Sequence, residues 1–184
     1  DYSGILTPIP ELAQMSMGIG AVSAEVDQPT GVLRRVPLMV GINGTPYPSL
    51  GLDAIRVWIG EPSYTVKYNS LGVEWIRLGK QDPLITEPSS ELPVAFWHDF
   101  KSQSILEPIP EGKIAILGVT AEGYSNPVAT PKGAVYPHEV QGHQIQTVLS
   151  GVQILQPDWT VIVELLVLAR ICLGILVAVY MLST

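Results

Sequence analysis

The stretch "GVLRRVPLMV", residues 31–40, nearly alternates apolar and polar positions, and departs from alternation where Arg34 and Arg35 stand side by side. In an extended chain Val32, Arg34, Val36 and Leu38 share one face, and Leu33, Arg35, Pro37 and Met39 share the other. The two arginines therefore point to opposite faces of a strand. One is expected to reach solvent and the other to find an acid among Glu25, Asp27 and Asp53; a charge-paired strand end is favoured over an anion site. Pro37 lacks a ladder donor, so the strand is bulged, lies at an edge, or pairs only on its other side there. "AVSAEVD" reads as its hairpin partner across the Gln28–Gly31 turn, and Asn43-Gly44 closes the second strand.

Further along, the pattern alternates between short helical and short extended pieces. "TPIPELAQMSMGIG" predicts a helix over 10–17 stopped by Gly18. Ser49 caps a helix running to about Ile59, with Gly60 as its terminator and Leu52, Ile55 and Ile59 as an apolar stripe. "SYTVKYNSLGVEWIRLG" predicts a two-stranded ribbon turning at Asn69–Gly72, and "PVAFW" a further strand. "KIAILGVT" is the strongest buried-strand signal in the chain. A Gly- and Pro-rich loop over 120–136 follows, then a helix over 137–149. Strand, loop and helix in this order suggest a crossover unit of an α/β sheet, with the loop as a rim where ligands bind.

The last pattern is a run of apolar residues, "WTVIVELLVLARICLGILVAVYML" over 159–182. As a helix it spans roughly 36 Å, against a hydrocarbon core of ~30 Å. Trp159 and Tyr180 sit where interfacial aromatics do, and Asp158 after Pro157 fits a helix start. The run is read as one transmembrane α-helix, with a long core helix of a soluble protein as the alternative. Glu164 and Arg170 interrupt it; at mid-span an arginine costs about 2.5–3.5 kcal/mol, so both are assigned to headgroup or helix–helix contacts. The expected fold is α/β, a mixed sheet with flanking helices over 1–158, followed by that helix over 159–182.

Composition narrows the chemistry. Of 184 residues only 15% are charged and the net charge is −7, so nucleic acid is excluded as a partner. Mean hydropathy is +0.31, raised by the C-terminal run. A single cysteine, Cys172, leaves no internal disulfide and no thiolate zinc site, and three scattered histidines do not make a metal centre. His98-Asp99 sets an imidazole beside a carboxylate, but neighbours in an extended chain diverge and no nucleophile is near. Catalysis, metal and cofactor are therefore not expected. Glu139 and His143, one helical turn apart, could share a proton or metal; a capping acid and an exposed histidine explain them more cheaply. His143 could also sense acidification, having an ordinary pKa of ~6.5. Thr130, Lys132 and Gly133 could cradle an anion or form a plain turn. The candidate ligand-binding residues are Arg34, Arg35, Thr130, Lys132, Glu139 and His143.

"GVLRRVPLMV…YPSLGLDAIRVWIG", "GKIAILGVTAEGYSNPVATPKG" and "HEVQGHQIQTVLSG" before "QPDW", in this order over roughly residues 8–158, resemble the second class of CHASE domain, the cyclases/histidine-kinases-associated sensory extracellular module. The helix typically opens with Glu, an apolar residue and His, and here reads Glu139-Val140-Gln141 with His143 two places on. The resemblance implies a periplasmic or extracellular sensor in a bacterial inner-membrane protein, followed by transmembrane helices and a cytoplasmic output such as a nucleotide cyclase or a kinase. The implied function is a non-enzymatic input module that passes a ligand- or partner-induced shift to the membrane helix. Implied partners are the membrane, other transmembrane helices, an unknown small ligand, and a homodimer or larger complex. The alternative is an accessory structural subunit or scaffold of a larger membrane complex. On the signalling reading the intact polypeptide has a mass well above 19.9 kDa, and mass spectrometry of the isolated protein checks it; a mass close to 19.9 kDa favours the scaffold.

Overall fold

The computed structural model describes residues 6–28, 30–109, 111–154 and 159–182. Its elements in chain order are α1 (Pro10–Met15), β1 (Arg35–Pro37), β2 (Met39–Ile42), β3 (Thr45–Pro48), α2 (Leu50–Ile59), β4 (Tyr64–Asn69), β5 (Gly72–Leu78), β6 (Leu84–Ile85), β7 (Glu91–Pro93), β8 (Val128–Thr130), β9 (Gly133–Val135), α3 (Pro137–Leu149) and α4 (Thr160–Leu182). Where a turn or cap residue carries the signal, the expectation holds. Asn43 and Gly44 have φ of 50° and 75°, the left-handed pair a two-residue loop needs to return β2 as β3. Ser49 Oγ accepts the Leu52 N–H to start α2, and Gly60, at φ 74°, ends it. Asn69 Oδ1 accepts from the N–H groups of Leu71 and Gly72 and so turns β4 into β5.

Where a strand needed a distant partner, the expectation fails. Every paired strand is antiparallel, in four small sheets: β1–β7, β2–β3, β4–β5–β6 and β8–β9. The expected mixed sheet with a parallel crossover is not formed; parallel pairing among the described residues is one isolated bridge, Ala21 to Ser49. "KIAILGVT" is in no strand. Ile114 and Ile116 lean on the core, whereas Leu117 and Val119 are 76% and 59% exposed. An apolar run specifies burial, but a strand also requires a neighbouring backbone, and among the described residues none pairs with this one. "AVSAEVD" likewise shrinks to bridges at Ala21 and Asp27, the latter to Val32; Pro29 of its turn lies outside the described residues.

The described residues fall into two units, Asp1–Gln153 and Ile154–Thr184. The second holds α4, and here the sequence expectation of a transmembrane helix over 159–182 is overturned. A helix of 23 residues forms, but among the described residues no helix is long and apolar enough to cross a membrane. The run carries two charges, Glu164 and Arg170. The expected cap at Asp158 and the side chain of Tyr180 lie outside the described residues. What stands is a small mixed α/β fold.

Two apolar clusters make its core. One gathers Leu38, Leu52, Ile55, Ile76, Leu92 and Ile145 among others; the second gathers Leu33, Val36, Val94, Phe96, Val135 and Val140. α3 joins them, contributing Ile145 to the first and Val140 to the second. It is also held by polar contacts. Gln144, fully buried, donates from Nε2 to the Pro37 carbonyl (3.1 Å) and to Ser49 Oγ (3.0 Å). Thr147 Oγ1 accepts the Ala95 N–H at 3.0 Å and donates to the His143 carbonyl at 2.7 Å. Gln144→Leu keeps most of the volume but leaves the Pro37 carbonyl without its donor. It is expected to destabilise the fold by about 1–3 kcal/mol, read as a lower urea midpoint at unchanged slope.

Candidate functional site

The N-terminus of α3 and the hairpin that feeds it build a partly open polar site. β8 and β9 pair from Val128↔Val135 to Thr130↔Gly133, so Pro131 and Lys132 form the loop between them. Gly133, at φ 122°, permits that tight return, and Thr130 Oγ1 donates to the Gly133 carbonyl at 2.7 Å. β9 runs through Tyr136 into α3. Pro137 occupies the first turn, and Glu139 Oε2 accepts the Tyr136 N–H at 3.3 Å. The hairpin is tethered from the other side. Lys132 Nζ donates to the His98 carbonyl at 2.6 Å and to Asp99 Oδ1 at 2.5 Å.

These contacts border a partly open cavity of about 270 Å³ lined by Asp99, Phe100, Lys132, Ala134, Val135, Glu139 and His143. His143 is its most buried polar wall, 1% exposed. The imidazole lies between two phenylalanines, 5.0 Å from the Phe96 ring and 4.8 Å, edge-on, from the Phe100 ring. It makes a hydrogen bond with the Ala95 backbone, while its Nδ1 has no partner. Burial pushes the His143 pKa down, the Lys132 ammonium adds to this, and the Glu139 carboxylate opposes it. The ring is therefore neutral at pH 7. The hydrogen bond from Lys132 holds the Asp99 carboxyl below its ordinary value, so it stays ionised. Phe100 also lines a second, apolar hollow of about 220 Å³ with Trp58, Ile114, Ile116 and Ile145.

Of the six candidate residues, Lys132, Glu139 and His143 are brought together here. Thr130 belongs to the same hairpin, with its hydroxyl used on Gly133. Arg34 and Arg35 are not in the lining. The expectation that one faces solvent and the other an acid is replaced by convergence on one carboxylate: Arg34 Nη1 lies 3.0 Å from Asp27 Oδ2 and Arg35 Nη1 3.5 Å from Asp27 Oδ1, with Arg35 Nε 2.8 Å from Glu87. Asp27 stands in the turn bridged to Val32, and the long side chains bend back to it. Asp53 pairs instead with Arg56, at 2.6 Å. Glu139 does act at the helix start, but His143 is buried rather than exposed. Asp99 and Phe100 were missed as lining residues. Asp99 was visible in the sequence only as a neighbour of His98, and nothing local signals that β8–β9 folds over it.

The first unit is thus a small α/β domain with a partly open, partly charged cavity. The chain matches the CHASE2 domain over residues 6–180 and belongs to that family. It is an extracellular sensor domain family found in signalling proteins. No curated protein and no solved structure is significantly similar to the chain.

A buried histidine kept neutral makes stability depend on pH. The unfolded chain takes up a proton near pH ~6.5 and the folded one only below that, so stability rises with pH in this interval and is lost as the pH falls through it. Burial sets the depression, Lys132 and His98 deepen it, and Glu139 opposes it. The urea midpoint is expected to fall between about pH 7 and pH 5, with a shallower fall in His143→Gln.

Proposed function

We propose that this chain is the non-enzymatic input module of a bacterial inner-membrane signalling protein of the cyclase or kinase receptor kind, lying on the periplasmic or extracellular side. Its ligand site is the cavity formed by Lys132, Glu139 and His143. The observation that carries this reading is the buried, neutral His143 with an unpartnered Nδ1 on the wall of that cavity. A polar atom buried without a partner costs stability, and such atoms concentrate where a ligand completes them.

The signal route is α3. It carries Glu139 and His143 at its first turns, it ends at Leu149, and ten residues separate it from α4. Occupying the cavity changes the position of α3, and the shift passes to the chain that follows. The apolar side chains of α4, among them Leu166, Leu168 and Ile171, are exposed, which supports assembly with other helices in a homodimer or larger complex. The same exposure is what favours the second reading, a scaffold subunit whose sensor-like domain transmits nothing.

A short insertion of flexible glycines after Gly151 in the full-length protein separates the two. On the signalling reading, Lys132→Met changes output activity in the native protein, and the insertion abolishes that difference. If output responds equally with and without the insertion, α3 is not the route. If Lys132→Met never alters output, the scaffold reading stands.

A further inference from the structure

Residues 113–120, "KIAILGVT", have the side-chain alternation of a strand but no strand beside them. Ile114 and Ile116 pack against the core, and a Cβ on Gly118 would run into the His138 ring. Ala115, Leu117 and Val119, the other row, are exposed, Leu117 by 76%. Among the described residues no backbone N–H or C=O from Lys113 to Val119 has a hydrogen-bond partner. An apolar segment with a free ladder is a template for a further strand, and native edges are normally blunted by charge, proline or a bulge. From Ile114 to Thr120 there is neither a charge nor a proline. Ile114 and Ile116 also line the apolar hollow of about 220 Å³ with Trp58, Phe100 and Ile145, so apolar surface extends beside the inward row.

The segment fits a copy of itself. A closed pair of identical strands needs a two-fold axis, which makes them antiparallel; an axis perpendicular to the sheet sets like faces opposite each other. With the axis at Leu117, Ile116 stands opposite Gly118, Val119 opposite Ala115 and Ile114 opposite Thr120. A large side chain thus meets a smaller one on both faces. The same register brings Lys113 of each copy opposite the partner's Ala121 and next to the partner's Glu122, an attractive pair at each end. We propose that this strand pairs antiparallel with the same strand of a second copy, about a two-fold axis at Leu117. The dimer contact is independent of the cavity and of its reading as a ligand site.

The test is cysteine cross-linking of the full-length protein in a Cys172→Ser background, under mild oxidation and read on non-reducing gels. The substituted side chains are exposed, so the core is left intact. Leu117→Cys lies on the axis and is expected to give a covalent dimer. Ala115→Cys and Val119→Cys are each expected to fail alone, being about 14 Å along the strand from their own copies, and to cross-link when combined in one chain. Amide hydrogen exchange is the second measurement. Residues 114–120 are expected to be protected, and to lose that protection in Leu117→Asp, which sets two carboxylates on the axis. Cross-linking of Val119→Cys alone as readily as Leu117→Cys, or none from the combined pair, overturns the antiparallel register. Protected amides with no Leu117→Cys dimer above the Cys172→Ser control mean that another segment occupies the strand, which overturns the second copy as its partner. Unprotected amides overturn the pairing altogether. None of these outcomes bears on the cavity, which is tested through output activity.

Discussion

The fold hangs on the side-chain amide of Gln144. It is wholly buried, where an unbonded polar group is costly; its Nε2 is bonded, while its Oε1 has no partner. Its Nε2 reaches two acceptors that belong to separate parts of the chain, the Pro37 carbonyl at the end of β1 and the Ser49 hydroxyl that caps α2. One amide therefore fixes α3 against a strand and against the start of another helix. Gly51 makes the approach possible, since a Cβ there would run into Gln144 Oε1. The apolar clusters supply most of the driving force, but they are non-directional. The Gln144 contacts set the axial position and rotation of α3, and the site depends on both.

From that placement α3 acquires two different sides. One carries Gln144 and Ile145 into the first apolar cluster and the Ser49 cap. The adjoining side carries Glu139 and His143 to the cavity, four residues apart and so one above the other. His143 and Gln144 are consecutive residues, which couples the site to the fold. Thr147, bonded to the His143 carbonyl and to the Ala95 N–H, ties the same turn of α3 to residue 95. A sensor needs a helix that is held firmly but by few directional contacts, because such a helix moves as a unit.

The acidic residues follow a similar logic of shared partners. Asp27 receives both Arg34 and Arg35, and Asp99 receives Lys132. Each pairing ties a loop to a strand or hairpin. Being solvent-exposed to different degrees, these pairs contribute little to stability. Their effect is geometric: the Lys132 contact ties the hairpin to residues 98–99.

Local signals were legible in the sequence because their physics is local. Asn43-Gly44, the Ser49 cap, the Gly60 stop, the Asn69 turn and the limits of α3 each involve residues within one turn of each other, and each was read correctly. Lys132, Glu139 and His143 stood among six candidates, Lys132 with Thr130 and Glu139 with His143, and His143 was expected on the surface. The sheet was not legible. "KIAILGVT" carries a strong apolar pattern, yet strand formation is decided by a backbone elsewhere, and the antiparallel pairs that do form are short and close in sequence except for β1 with β7. In the same way, the apolar content of 159–182 made a helix readable, while no helix among the described residues is long and apolar enough to cross a membrane. By itself the sequence determined the helices, the turns and the chemical types at the site. Only the tertiary structure decided that Asp99 and Phe100 line the cavity and that His143 is buried and neutral. That lining depends on which segments meet in space, and no periodicity along one segment encodes its neighbour.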